Sequence, residues 1–344
     1  MLGLLGMGIG GFYGVLGTGI VVGHKGSGLI NLDQGALAMF PAYAFATMRE
    51  SGDVFLPWFD FIPGPIDVPV QLSLSDGPTS KGVALAVGLA MSVLLGVLVQ
   101  ALVFGPLRRK PPVSKVIGSL GALLYLQSIA LHHFGAKAKF VDGVLPSGGI
   151  DNPLGLGGRL PYNRIVFALV ALAIGLALTV YYRRARTGVA TRAVEDSELG
   201  AALLGYSPNR IAMVNWLLST TTTGLAGILA LDIVSLTPSR YTLLVVPALG
   251  AALFGNLTST WLAACGGVAL GMFQSAAAGL TLKAWWPDWL PEEGVRQAVP
   301  LIVIVVFQFS RGHLLPVRST QLEERQPNAP VPRHVVRDLG LLVA

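Results

Sequence analysis

Asn31, Asp33 and Gln34 lie within "GLINLDQGALAMF", residues 28–40, a stretch whose other side chains are apolar or small. A carboxylate and two amides in a nearly dry setting can hold a cation, carry a proton or hydrogen-bond a polar solute. They are costly there, by about 2.5–3.5 kcal/mol for a central charge on insertion scales, so such groups face a bundle interior or a watery cavity. The residues leave two readings open. In one, Asp33 lies near the headgroups and caps a helix. In the other, Asn31, Gln34 and Gly35 mark a helix that begins or loosens here, so that amide and backbone groups line a pathway with Asp33 nearer the cytoplasmic mouth.

Other chemistry is excluded by spacing. No G-x-x-x-x-G-K-[ST] loop occurs, so the chain offers no recognisable phosphate cradle. His132 and His133 are adjacent and point to different faces of a helix, and Cys265 stands alone, which leaves no metal set, no cofactor site and no nucleophile with a base. The hydroxyls of "LSTTTTGLAG", Leu218 to Gly227, are read as bonding back to their own helix carbonyls, with a minority free to contact solute.

The surrounding elements must be helices in a membrane. Of 344 residues, 53% are hydrophobic and 12% charged, with mean hydropathy +0.64. Apolar runs long enough to cross a ~30 Å hydrocarbon layer recur, continuous rather than alternating, and only helices or closed barrels satisfy the backbone there. The expected fold is all-α: a polytopic helical membrane protein with eight or nine transmembrane segments, near 1–23, 29–48, 82–104, 114–134, 163–182, 211–235, 242–257, 260–282 and 295–310. The 43 glycines suit close helix packing in lipid. Residues 1–312 form the membrane domain, and the proline-rich, charged 313–344 reads as a flexible cytoplasmic tail.

Loop charge sets the orientation. "GPLRRKPPVSK" carries Arg108, Arg109, Lys110 and Lys115 and no acid, and residues 181–210 hold five arginines; both belong in the cytoplasm. Residues 49–81 hold two basic residues against five acids and belong outside. The net charge of +6 therefore orients spans and calls for no nucleic acid. Trp285, Trp286 and Trp289 suit an aromatic belt at the headgroups.

The cytoplasmic loop 183–211 is too polar to span. Ala193 to Leu204 has helix-forming composition, with a stop at Gly205 and Pro208. Glu195, Asp196 and Glu198 favour the start of such a helix, and Ala201, Ala202, Leu203 and Leu204 supply an apolar patch. Composition fits a helix lying on the membrane and one seated in a partner's groove equally.

"GLINLDQGALAM", "SLGALLYLQSIAL" and "RTGVATRAVEDSELGAALLGYSPNRIA", in this order, resemble the H-type inner-membrane permease subunit of branched-chain amino-acid ABC importers, over about residues 4–312. The resemblance implies a multi-pass protein of the bacterial inner (plasma) membrane. It implies two cytoplasmic ATPase subunits that use the ATP, a second paralogous permease chain and an extracytoplasmic solute-binding protein. It makes the 183–211 loop the coupling helix that docks into the ATPase, with Arg192, Glu195, Asp196, Ala201, Ala202 and Gly205 at the matching positions. The chain departs from the family pattern at Asp33, where a small residue is usual, and at Leu257, Ser259 and Trp261, in place of a glycine-rich turn. A self-sufficient secondary transporter, with Asp33 or Asp232 as a proton or cation site, is the alternative. It would need a paired intramembrane charge in an inverted repeat, and the sequence shows none.

Overall fold

The computed structural model describes residues 2–28, 30–58, 71–107, 110–151, 159–280 and 292–311. The three tryptophans of the expected aromatic belt, Arg108, Arg109 and the 313–344 tail lie outside the described residues. The helices are α1 (Met7–Ser27), α2 (Gln34–Glu50), α3 (Lys81–Val99), α4 (Pro112–Phe134), α5 (Tyr162–Arg184), α6 (Arg186–Asp196), α7 (Glu198–Leu203), α8 (Pro208–Leu229), α9 (Pro238–Leu243), α10 (Val245–Phe254), α11 (Thr260–Leu280) and α12 (Glu292–Arg311). A single turn, Leu2–Leu5, precedes them. Among the described residues, six helices are long and apolar enough to cross a membrane: α1, α3 continued to Leu107, α4, α5, α8 continued to Asp232, and α11. The candidate span 242–257 is split at Leu244 into α9 and α10. The span expected at 29–48 is a 17-residue helix carrying Pro41.

α1 occupies the centre, buried from Gly10 to Gly26. Its glycines allow this, since a helix whose neighbours approach on every side has no room for Cβ atoms. Gly6, Gly10 and Gly14 recur every fourth residue and lie against Gly267 and Gly271 of α11, so close that a Cβ on either α11 glycine would meet α1 backbone. Gly11 abuts the α5 backbone at Phe167, and Gly17 the α10 backbone at Ala248. α1 stops at Gly28, whose left-handed φ of 70° lets its N–H return to His24 O at 2.7 Å.

At its other end the bundle carries two small hairpins. β1 (Asp53–Phe55) pairs with β2 (Gln71–Ser73), and β3 (Gly149–Asp151) with β4 (Arg159–Pro161), both antiparallel. The Ser73 hydroxyl donates to Asp53 at 2.7 Å, which holds that exposed carboxyl below its ordinary pKa. The 135–164 loop is tied down by Asp232, whose two carboxylate oxygens accept the Gly143 and Leu145 amides at 3.1 and 2.9 Å.

α3 runs into a π-helical stretch, Gln100–Phe104, before its last turn. Such single-turn widenings cost hydrogen-bond geometry and cluster at functional sites.

Candidate functional site

The chain does not leave the bundle between α1 and α2. After Gly28 it turns back, and Gln34, the first residue of α2, meets α8 at Ser219 and Thr223. These positions lie about three to four turns beyond Pro208, in the middle of α8. α2 therefore starts at mid-depth, as half-helices do where irregular backbone is sheltered by protein.

Gln34 is fully buried, and both ends of its amide are hydrogen-bonded. Its Nε2 donates to Ser219 Oγ at 3.0 Å, Thr223 Oγ1 donates to its Oε1, and Ser219 Oγ passes its own proton to Gly19 O at 2.6 Å. One amide thus stitches α1, α2 and α8 together. A leucine there would strand the Thr223 hydroxyl, an unmet buried group costing about 1–3 kcal/mol, while Ser219 keeps its bond to Gly19 O. Thr220, Thr221 and Thr222 bond back to carbonyls of their own helix, as expected, whereas Ser219 and Thr223 reach across. Gly35 is small because α2 touches α9 there: a Cβ would press on Tyr241 O.

Asn31 and Asp33 sit beside this junction and behave differently. They are 1% and 0% exposed, with the Asn31 side chain beside the Asp33 carboxyl, and neither makes a well-formed hydrogen bond among the described residues. Asp33 precedes α2 without capping it. A carboxylate and an amide held dry without well-formed partners are costly in this position.

The 183–211 loop folds as two helices, α6 and α7, where composition suggested one from Ala193 to Leu204. Ser197 breaks it: the backbone is extended there, and the hydroxyl accepts from Gly200 N at 3.0 Å as the cap of α7. Gly205 ends α7 as expected, with φ 85° and its N–H on Ala202 O at 3.0 Å. The apolar patch is redistributed. Ala201 is buried against Ala190, Val194 and Ile211, whereas Leu199, Leu203 and Leu204 stand 73, 81 and 75% exposed. Arg192, Asp196, Ala202 and Gly205 are exposed.

Glu195 turns inward. Its carboxylate pairs with Lys25 Nζ, from the last turn of α1, at 3.2 Å, and Lys25 also lies 5.4 Å from the centre of the Tyr182 ring. Tyr182 donates to Asn215 Oδ1 at 2.6 Å, and Asn215 Nδ2 donates to Thr191 Oγ1 and Ile211 O at 2.9 and 2.8 Å. The network joins α1, α5, α6 and α8. Sequence reasoning missed Lys25, Tyr182, Thr191 and Asn215. The only signal was the charged "GHKGSG" after an apolar run.

A glycine-packed helical bundle with a re-entrant polar turn and a two-helix loop bearing outward leucines is the arrangement of a multi-pass membrane permease. Residues 4–307 match the family described as branched-chain amino acid transport system / permease component, and the chain belongs to it. It is 22% identical over 275 residues to the high-affinity branched-chain amino acid transport system permease protein BraD of Pseudomonas aeruginosa, covering 79% of this chain and 84% of that one. No solved structure matches the chain.

Proposed function

We propose that the chain is the membrane-spanning, non-catalytic subunit of an ATP-binding-cassette importer that moves branched-chain amino acids or similar small polar solutes across the bacterial inner membrane. An extracytoplasmic binding protein hands solute to the bundle. A second permease chain completes the pathway, and two cytoplasmic ATPases bind and hydrolyse the ATP. Their closure moves the α6–α7 loop and alternates access through the centre, where Asn31, Asp33 and the Gln34 junction shape the route. Family membership supports the transport class.

The leucine ridge of α7 is the observation that carries the ATPase partnership. Leu199 and Leu203 stand four residues apart on one helical face, with Leu204 beside them, while Ala201 fastens the helix to its own bundle. A short helix fixed on one side and apolar on the other suits a groove in a soluble protein. The ion-driven alternative is weakened by Asp232, whose carboxylate is occupied by two backbone amides.

Leu199→Asp with Leu203→Asp tests the reading. The double variant inserts normally, and the co-expressed ATPase no longer co-purifies, because unpaired charge in a desolvated groove costs several kcal/mol. Full ATPase retention removes α7 as the docking element. Concentrative uptake by the chain alone under an ion gradient overturns the importer assignment.

A further inference from the structure

The outward face of α5 ends in arginines. Leu169, Ala173, Leu176, Val180 and Arg183 are all exposed and follow one another by four and three residues in turn, which places them on one helical face. Phe167, Ala171, Gly175 and Leu178 are buried and turn the opposite side to the bundle. The 23 residues of α5 rise about 34 Å, slightly more than a ~30 Å hydrocarbon core. A stripe that is apolar as far as Val180 therefore brings Arg183 and Arg184 to the level of lipid phosphates.

Three guanidiniums share this corner. Arg183 and Arg184 close α5, Ala185 is extended, and Arg186 opens α6. Tyr181 and Thr187 share a hydrogen bond of 2.6 Å across the corner, and a Cβ on Gly188 would press on Tyr181 O, so the two helices meet tightly there. All three arginines are exposed, without an acidic or hydrogen-bonding partner among the described residues. Glu195 is paired with Lys25, and Asp196 ends α6 about 15 Å from Arg186. Arg183 and Arg184 suit the carbonyl end of a helix. Arg186 does not suit its place, because a cation at the N-terminus of α6 opposes the helix dipole, and an anion held beside it would reverse that cost.

We propose that this corner is the headgroup site of an anionic phospholipid of the cytoplasmic leaflet, with an acyl chain lying along Leu176 and Val180. The phosphodiester accepts the forked N–H groups of the guanidiniums, whose geometry matches its oxygens. The occupant is a lipid and not a soluble phosphate, because the apolar stripe runs without a break into the cationic corner. Bound there, the lipid ties the start of α6 to the membrane surface and steadies the loop that carries α7. Only this consequence rests on the importer reading; the binding stands apart from it.

The full chain in neutral detergent is titrated with phosphatidylglycerol and with phosphatidylcholine, and bound lipid is read by native mass spectrometry. Phosphatidylglycerol is retained about ten-fold more tightly, and the triple change Arg183→Gln, Arg184→Gln and Arg186→Gln removes most of that preference. The triple change Arg108→Gln, Arg109→Gln and Lys110→Gln takes the same charge from another cytoplasmic loop and leaves the preference intact. Glycerol phosphate does not displace the lipid. Equal retention of the two lipids, or a preference unchanged in the 183–186 variant, overturns the site and leaves these arginines to a protein partner. An equal loss in the 108–110 variant overturns it by reducing it to the general attraction of basic loops, and displacement by glycerol phosphate by making it a soluble-phosphate site. In vesicles with its partner subunits, phosphatidylglycerol in place of phosphatidylcholine raises solute-stimulated ATP hydrolysis about three-fold, and the 183–186 variant loses this response. Hydrolysis indifferent to the lipid overturns the anchoring role. The expected lipid retention with no solute-stimulated hydrolysis in either vesicle sustains the site and overturns the importer reading instead.

Discussion

The two halves of α1 are held in unlike ways. From Gly6 to Gly17 the chain touches its neighbours mainly through backbone, glycine on glycine against α11, with dispersion as the main binding force and one buried hydrogen bond, Tyr13 OH to Gln274 Oε1 at 2.9 Å. From Gly19 to Ser27 it touches them through polar groups: Ser219 on Gly19 O, and the Lys25 ammonium on Glu195 and the Tyr182 ring. Backbone packing has one good geometry and tolerates no slip. Hydroxyls, amides and an ion pair can exchange partners over a few ångströms. The contrast teaches that the first half is held mainly by shape and the second by polar partners, on the side where the loop helices sit.

The largest break is expected in the half held by shape. Gly267→Leu places a side chain in the backbone of Gly14 and loses well over 3 kcal/mol, read as collapse of membrane-inserted yield. Gly121→Leu on α4, where nothing stands within 4 Å, leaves yield intact. Next comes the junction. Gln34→Leu costs about 1–3 kcal/mol in resistance to detergent unfolding and reduces uptake, with insertion and ATPase binding preserved. Thr223→Val added to Gln34→Leu costs less than the sum of the two singles, since they share one network. Lys25→Met is milder, about 1 kcal/mol and salt-dependent, because Glu195 is partly exposed. It lowers solute-stimulated ATP hydrolysis more than it lowers assembly. Asp33→Asn gives the smallest stability change, and of opposite sign: it removes an unanswered buried carboxylate and raises thermal tolerance slightly, while uptake falls. Unchanged uptake in that variant removes Asp33 from the pathway.

Much of this was legible in the chain. Continuous apolar runs gave the long helices to within a few residues, and the polar cluster at 31–35 marked a helix start, since α2 begins at Gln34. Three things were not legible. Ser197 was read as helix interior because its neighbours are helix formers, and only a backbone geometry decides whether a serine hydroxyl caps or bonds back. Ala201 and Leu203 looked alike as apolar positions; which one faces the bundle depends on the phase of a six-residue helix that Ser197 sets. Lys25 and Glu195 are 170 residues apart, and no local pattern joins them. The departure at Leu257 also acquires a form: it adopts a left-handed φ of 55° yet buries its side chain almost wholly, so the turn after α10 trades backbone ease for an apolar anchor.

Asp232 has a consequence beyond fixing a loop. α8 leads directly into it, and at its opposite end α8 is grasped through Asn215 by the α6 helix. One rod of about 33 Å is therefore clamped at both faces of the bundle. A tilt imposed at the Asn215 end reappears, inverted in direction, at Gly143 and Leu145, whose amides Asp232 holds.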